Sequence, residues 1–540
     1  MGLDAMKSTN ECARPAMAAS ADSVTRPSLI AFRKYLVFLV FVWIVPCSFS
    51  QNPQDRAEQR MPGHGLRAHN FDRTVAAIRR VHLKPATKYW GFDHLSLEHA
   101  KAEQQLREWK DQGIDAIEIF APAEGGNSYG GLDAIDRYRL DPGVGSMDDF
   151  RWLVGRSHEL GVRVLAFDNL GYSSIYGTQF LKACEDVRVG RVSQETRMFF
   201  WSSSADAPPP PVQSNSYFFM RPGLANYEPT KTEFWQWDER CQRYYWTRWP
   251  GKDKDGSTIH LPQYNWIDDA WPNEAEKVVR FWMDTGLDGM VIDAVNWYVG
   301  YTWEKGNRRI TGPIASYGAT FSQPEGGGAF HTDDPVGWVT EGHWSDIYDY
   351  GLGIWWEKDH HPLKDSVEKG DPRIWEAALR GYHDRVLAAG GSLYAPVPKM
   401  QSDDQQRFAE ALLATSGDLV CYCNVGDKVP AEEASALLKM RASHPALYLD
   451  STRRRIPTQD DSKFYAILRS SADRTERLLV VYNFQATPQA VRVDVGAIDT
   501  SGLAGLSSGS LADISEGWLP VSLPAYGYHA YTVRQGRLSE

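Results

Sequence analysis

From about Val81 onward, short apolar runs alternate with longer segments whose apolar residues recur at helical spacing. Ala116-Ile117-Glu118-Ile119-Phe120 reads as a strand, and so does Val162 to Phe167, which ends at Asp168. Ser96 is placed to cap a helix that runs to Gln112 and stops at Gly113, and a second helix runs from Met147 to Leu160 before Gly161. A third covers Asn273 to Thr285, closes on Gly286 and feeds Met290-Val291-Ile292, a β-branched run ending at Asp293. Trp338-Val339-Thr340 reads as a later strand ending at Glu341, Arg407 to Ala414 as a helix, and Leu419 to Cys423 as the last strand of the set. Strands that are apolar throughout are buried on both faces, and strand–helix alternation predicts parallel strands with crossover helices. The expected fold is α/β, a (β/α)8 TIM barrel built from residues 81–171 and 263–452 and interrupted after its third strand.

The periodicity breaks between residues 172 and 262, which hold Ala207-Pro208-Pro209-Pro210-Pro211 and scattered aromatics. A connection this long is usually a functional element, so an inserted subdomain is expected there. From 453 to 540 the pattern changes again. Phe464 to Leu468, Leu478 to Phe484, Ala490 to Val493 and Tyr526 to Val533 alternate with polar turns, predicting a C-terminal antiparallel β-sandwich domain.

Charge and composition narrow the class. A formal net charge of −11 argues against a nucleic-acid partner. The 20 Trp and 25 Tyr suit a ligand with apolar faces and polar edges, as sugars have. At the N-terminus Arg33 and Lys34 precede an apolar run from Tyr35 to Pro46, followed by Ser48-Phe49-Ser50. This reads as a signal peptide over residues 1–50, cut after Ser50, with a loose segment over 51–80. The chain is then exported, periplasmic or extracellular, with an uncleaved N-terminal anchor or lipidation at Cys47 as alternatives; no other membrane segment is expected. Cys184 and Cys241 both fall in the insertion and can pair, whereas Cys421 and Cys423 alternate on a buried strand as core thiols. No zinc site is expected, because no His stands at ligand spacing from the cysteines. No phosphate-cradling glycine loop follows a strand, so no organic cofactor is expected.

Asp293 is the residue around which the chemistry is expected. A carboxylate at the end of a buried strand has no packing role, and active sites of parallel barrels form at the strands' carboxyl ends. Before Asp293 stand Tyr244-Tyr245-Trp246, Tyr264-Asn265-Trp266 and the helix from Asn273. With the Asp293 strand, these resemble the α-amylase superfamily, glycoside hydrolase family 13, near the branch of exo-acting α-glucosidases and trehalose synthases. The resemblance implies three carboxylates at the ends of the fourth, fifth and seventh barrel strands: Asp293 as nucleophile, Glu341 as acid/base, and Asp404 as stabiliser, with Asp403 the runner-up. It also implies substrate contacts from Asp133, Asp136, Asp168, Asp403, Asn296 and Trp297.

The chain departs from that pattern at several positions. Val291 stands where an arginine is usual, and Tyr172-Ser173 where an Asn-His pair is usual, implying no structural calcium. Asp403 replaces a histidine, Leu132 an aromatic, and Asn296-Trp297 a Lys-His pair. Arg308 and Arg309 are the candidate substitutes for the missing cation. The resemblance implies a retaining glycoside hydrolase acting on α-glycosidic bonds of short oligosaccharides. Its alternatives are a catalytically impaired barrel that binds carbohydrate or a protein partner, and a transglycosylase or isomerase of the trehalose synthase type.

Overall fold

In the computed structural model, the described residues are 75, 77–83, 90–91, 98–210, 233–295, 303–318, 320–325, 336–348, 362–396, 398–416, 418–422, 432–500, 502–506 and 508–533. Residues 1–50 and the sequence expectations at Ser96, Asn296, Trp297 and Cys423 lie outside them.

Eight parallel strands form the barrel: Ala77–His82, Ala116–Phe120, Arg163–Asn169, Gly289–Asp293, Phe321–Pro324, Asp346–Tyr348, Ser392–Pro396 and Leu419–Tyr422. The eighth pairs with the first, Val420 opposite Ala77. The fifth and sixth are joined by side chains: Ser322 N donates to Ser345 Oγ at 2.8 Å, and Ser345 N to Ser322 Oγ at 3.1 Å. At Gly289 the backbones pack too closely for a side chain, since a Cβ there would lie 2.0 Å from the Phe321 carbonyl oxygen. The helices His99–Asp111, Met147–Glu159 and Ala270–Met283 pack outside. Ser146 caps the second of these through a reciprocal capping box with Asp149.

Alternation along each strand sorts side chains between two cores. Leu165, Phe167, Val291, Phe321, Tyr394, Leu419 and Cys421 fill the barrel interior. Val164, Ala166, Met290 and Ile292 point outward against the helices. Both faces being buried is why these strands read as unbroken apolar runs.

Two expectations are corrected. The barrel begins at Ala77, inside the stretch expected to be a loose tether, because Ile78 and Val81 are buried core residues. Trp338-Val339-Thr340 is not a strand but the end of a short helix, Val336–Thr340. Its apolar run fits one helical turn against the core as well as it fits a strand. The fifth strand is instead Phe321–Pro324, and the sixth is Asp346–Tyr348.

Between the third strand and the helix Ala270–Met283 lie the helix Thr178–Arg188 and an antiparallel sheet of Trp201–Ser202, Phe234–Asp238, Arg243–Lys252 and Thr258–Pro262. A disulfide, Cys184–Cys241, ties this helix to the sheet. Leu261 joins the barrel-interior cluster, with Trp249 and Ile259 packed on it, so this sheet closes over part of the mouth. The C-terminal region stacks a five-stranded sheet on the pair Gln489–Asp494 and Trp518–Leu523. Tyr465, Ile467, Val480 and Tyr482 face the barrel helices, while Ala466, Leu468, Leu479 and Val481 face the second sheet.

Candidate active site

The carboxyl end of the barrel is reached by the inward series of each strand. On the fourth, Val291 lies inside the barrel and Asp293 follows two residues on. On the fifth, Phe321 is inward and Gln323 and Glu325 follow in phase, Glu325 standing just after Pro324. On the third, Leu165 and Phe167 are inward, and Asn169 is next in phase.

These three polar side chains meet. Asn169 Nδ2 donates to Asp293 Oδ2 at 2.6 Å. The amide cannot flip, because its Oδ1 accepts from Gly171 N at 2.7 Å and Tyr172 N at 3.1 Å. Glu325 is hydrogen-bonded to Asp293, and its Oε2 accepts from Ala294 N at 3.3 Å. Ala294 has a φ of +48°, a left-handed conformation costly for a residue with a Cβ, at the turn that presents Asp293. Burial and then the charge of Asp293 push the Glu325 carboxyl well above the usual carboxylate range. A carboxyl whose hold on its proton is strengthened in this way, beside a second carboxylate, is suited to the role of general acid.

Glu341, expected as the acid, is not brought to this end. It is exposed just after the helix Val336–Thr340, before the amino end of the sixth strand. In a parallel barrel that is the face opposite the carboxyl ends. The strand-seven carboxylate is likewise displaced. That strand ends at Pro396, and Asp403 and Asp404 are exposed in the first turn of the helix Asp403–Ser416. Asp404 pairs with Arg407 and lines a surface cleft of about 350 Å³ with Phe408 and the loop Pro524 to Tyr528.

Asp168 is adjacent in sequence to the site but out of phase with it. It points outward, fully buried, to Arg137 Nη1 at 3.4 Å. Arg137 in turn donates to Tyr172 O at 2.8 Å and lies 5.4 Å from the Tyr264 ring. Asp168 thus anchors the start of the insertion. Asp136 is half-buried on Ala134–Leu140, and its Oδ1 accepts from Tyr138 N at 2.9 Å, within its own strand. Asp133 is fully buried, and its Oδ1 accepts from Ser128 N at 2.9 Å, holding the loop that carries Tyr129. That loop does reach the site: burial raises the Tyr129 hydroxyl, and the charges of Asp293 and Asp133 add to it.

An aromatic wall stands beside the carboxylates. Tyr129 packs against Tyr172 at 6.0 Å and Trp249 at 6.3 Å between centroids, and its hydroxyl donates to Pro250 O at 2.6 Å. Tyr172 and Trp249 come from the segment after the third strand, so the insertion supplies one side of the mouth. Among the described residues, the one cluster of three groups at metal-ligand spacing is Cys184, Asp238 and Cys241, and its two cysteines are joined as a disulfide.

Residues 103–323 match the family described as alpha amylase, catalytic domain. Oligo-1,6-glucosidase of Bacillus cereus is 23% identical over 193 residues, 35% of this chain and 29% of that protein. Trehalose synthase/amylase of Mycolicibacterium smegmatis is 25% identical over 166 residues, 31% of this chain and 24% of that protein. The alignments therefore span less than a third of these relatives. In structure, Amy13B of Eubacterium rectale superposes with a TM-score of 0.63 at 13% identity, over 90% of this chain and all of the other. The alpha-amylase from H. orenii gives 0.62 at 13% identity, over 85% of this chain and 99% of its own. These superpositions bear on the fold.

Proposed function

We propose that this chain, whose residues 103–323 belong to the alpha-amylase catalytic-domain family, is a retaining α-glycosidase with Asp293 as nucleophile and Glu325 as acid/base. The observation that carries the reading is the contact between an inward Asp on the fourth strand and an inward Glu after the fifth, where burial and the Asp293 charge raise the Glu. Retaining enzymes keep their two carboxyls about 5–5.5 Å apart, and inverting ones about 6.5–9.5 Å to admit a water. Two carboxyls close enough to share a hydrogen bond stand nearer the shorter spacing than the longer one.

In the first step Glu325 gives its proton to the glycosidic oxygen while an Asp293 oxygen attacks the anomeric carbon. The alcohol leaves and a glycosyl ester forms on Asp293. In the second step the Glu325 carboxylate takes a proton from water or a second sugar. That oxygen attacks the anomeric carbon and frees Asp293 with the α configuration kept. Asn169 holds one Asp293 oxygen and so fixes the orientation of the carboxylate that attacks the sugar. The wall of Tyr129, Tyr172 and Trp249 favours a short substrate stacked end-on over a long polymer laid across the mouth. α-Glucosides are the substrate class, with transfer to a sugar as an alternative fate of the ester. Export through residues 1–50 belongs to the same reading, and the disulfide Cys184–Cys241 suits an oxidising compartment.

One observation favours a second reading, a barrel that binds carbohydrate with weakened catalysis. Both acids expected at the seventh strand are exposed on the helix that follows it. The test is hydrolysis of aryl α-glycosides (glucoside, galactoside, mannoside, xyloside) by residues 51–540, beside Asp293→Asn. Turnover that disappears in the variant, with α-anomer released first by proton NMR, supports the glycosidase. No turnover together with oligosaccharide binding supports the second reading.

A further inference from the structure

We infer that Arg80, on the first barrel strand, is the positioning cation for the Asp293–Glu325 pair. The assignment deepens the glycosidase reading and rests on it for its kinetic consequences, though not for its electrostatic ones.

The geometry starts from register. Arg80 is 2% exposed and lies opposite Glu118, which is fully buried on the second strand. Its side chain rises from that level. The guanidinium carbon is 4.3 Å from the Phe167 ring centroid and 5.7 Å from that of Phe120. Phe167 is the register partner of Val291, and Val291 that of Gln323. The guanidinium therefore sits at the level of Val291 and Gln323, one inward step below Asn169, Asp293 and Glu325. The strand that bears Asp293 offers only the apolar Val291 at that level. Across the barrel, Arg80 supplies the charge that strand four omits.

Its orientation is fixed from the other side. Arg80 Nε donates to Glu118 Oε1, and Arg80 Nη2 lies 3.4 Å from the Tyr394 hydroxyl. Tyr394 in turn donates to Glu118 Oε2 at 3.0 Å. A guanidinium held in a planar fork stays charged when buried and cannot be titrated away. Arg308 and Arg309 are not in this layer: Arg308 is exposed, and Arg309 Nη1 binds Glu276 Oε2 at 3.3 Å on the outer helices.

The consequence is electrostatic. Burial and Asp293 raise Glu325, and Arg80 is the cation that opposes them. The groups facing the pair are Asn169 on Asp293, Tyr129 from the loop above, and Arg80 with Glu118 below. Without Arg80, Glu325 would hold its proton more tightly and serve less readily as the base of the second step.

Arg80→Met with Glu118→Gln removes both members of the buried pair, so that neither charge is stranded. Glu118→Gln alone keeps Arg80 and removes its counter-charge. The Glu325 carboxyl is followed against pH by infrared difference spectroscopy, with Glu325→Gln as the blank, and kcat and KM are measured on the best aryl α-glycoside. The double variant should raise the Glu325 midpoint by about one unit and lower kcat roughly tenfold or more, with KM little changed. Glu118→Gln should move the midpoint downward. Adding Val291→Arg to the double variant, which returns a cation to the same level, should reverse most of both changes. A folded double variant with the wild-type midpoint, or a Glu118→Gln midpoint that stays or rises, overturns the assignment. If the double variant does not fold, the Glu118→Gln shift decides. Midpoint shifts as expected in a protein that turns over no glycoside would support Arg80 and defeat the glycosidase reading.

Discussion

Asn169 offers the sharpest single-residue prediction. Its amide donates to Asp293 at 2.6 Å, and its carbonyl is held by the Gly171 and Tyr172 amides. A hydrogen bond to a charged group contributes about 1.5–3 kcal/mol. At about 1.4 kcal/mol per tenfold, Asn169→Ala should lower kcat/KM roughly 10- to 100-fold, and part of that loss comes from freeing the Gly171–Tyr172 turn. Asn169→Asp separates the two contributions. It keeps an acceptor for both backbone amides and replaces the donor with a second carboxylate against Asp293. At neutral pH like charges meet, and the loss should exceed that of Asn169→Ala. Two neighbouring carboxylates raise one another's hold on a proton, so mild acid should protonate the pair and restore a donor. Relative to wild type, Asn169→Asp should therefore recover as pH falls from about 7.5 to 5, whereas Asn169→Ala should not. The assay is kcat/KM on an aryl α-glycoside across that range, with thermal melts to exclude unfolding. Both variants within about threefold of wild type, with unchanged pH profiles, would refute the role given to Asn169.

Two predictions concern stability. His383 is fully buried, its Nε2 2.7 Å from Asp418 Oδ1; burial pulls the imidazole down, but Asp418 and Asp384 outweigh it and hold it at about 9. A raised folded-state value means the contribution is complete below about 6.5 and is lost as pH climbs to 9, an effect of about 3 kcal/mol that His383→Gln should flatten in melts taken from pH 6 to 9.5. Cys184→Ser with Cys241→Ser opens a 57-residue separation and should cost about 4 kcal/mol in the insertion, seen as a lower melting temperature and as reductant-insensitive unfolding.

Much of the fold could be read from hydrophobic pattern alone, because strands buried on both faces and helices with one apolar stripe leave distinct periods. Ala116–Phe120 and the Asp293 strand are legible for that reason. The site was legible only where polar residues ended apolar runs. Asp293 ends such a run. Glu325 does not: Phe321-Ser322-Gln323-Pro324 is short, half polar and holds a proline, with Ser322 bonded to Ser345 and Gln323 turned inward after Phe321. The more apolar Trp338-Val339-Thr340 drew the strand reading, and Glu341 with it. The signal for Glu325 was phase, Phe321, Gln323 and Glu325 sharing one face. Phase also distinguishes Asn169 from Asp168, since Leu165 and Phe167 set the inward series on the third strand. Arg80 was hidden by its charge, in a stretch where two adjacent arginines look solvent-facing. No local pattern shows that Arg79 lies by the Trp109 ring, with its guanidinium carbon 5.2 Å from the centroid, while Arg80 enters the barrel.

The central claim is that Glu325, not Glu341, partners Asp293. The most direct test measures kcat/KM for Glu325→Gln and Glu341→Gln side by side on the aryl α-glycoside turned over best by the wild type. The account predicts a loss of roughly 10²- to 10⁴-fold for Glu325→Gln, largest for poor leaving groups that need protonation, and near wild-type rates for Glu341→Gln. Wild-type rates in Glu325→Gln, or the loss appearing in Glu341→Gln instead, would contradict it.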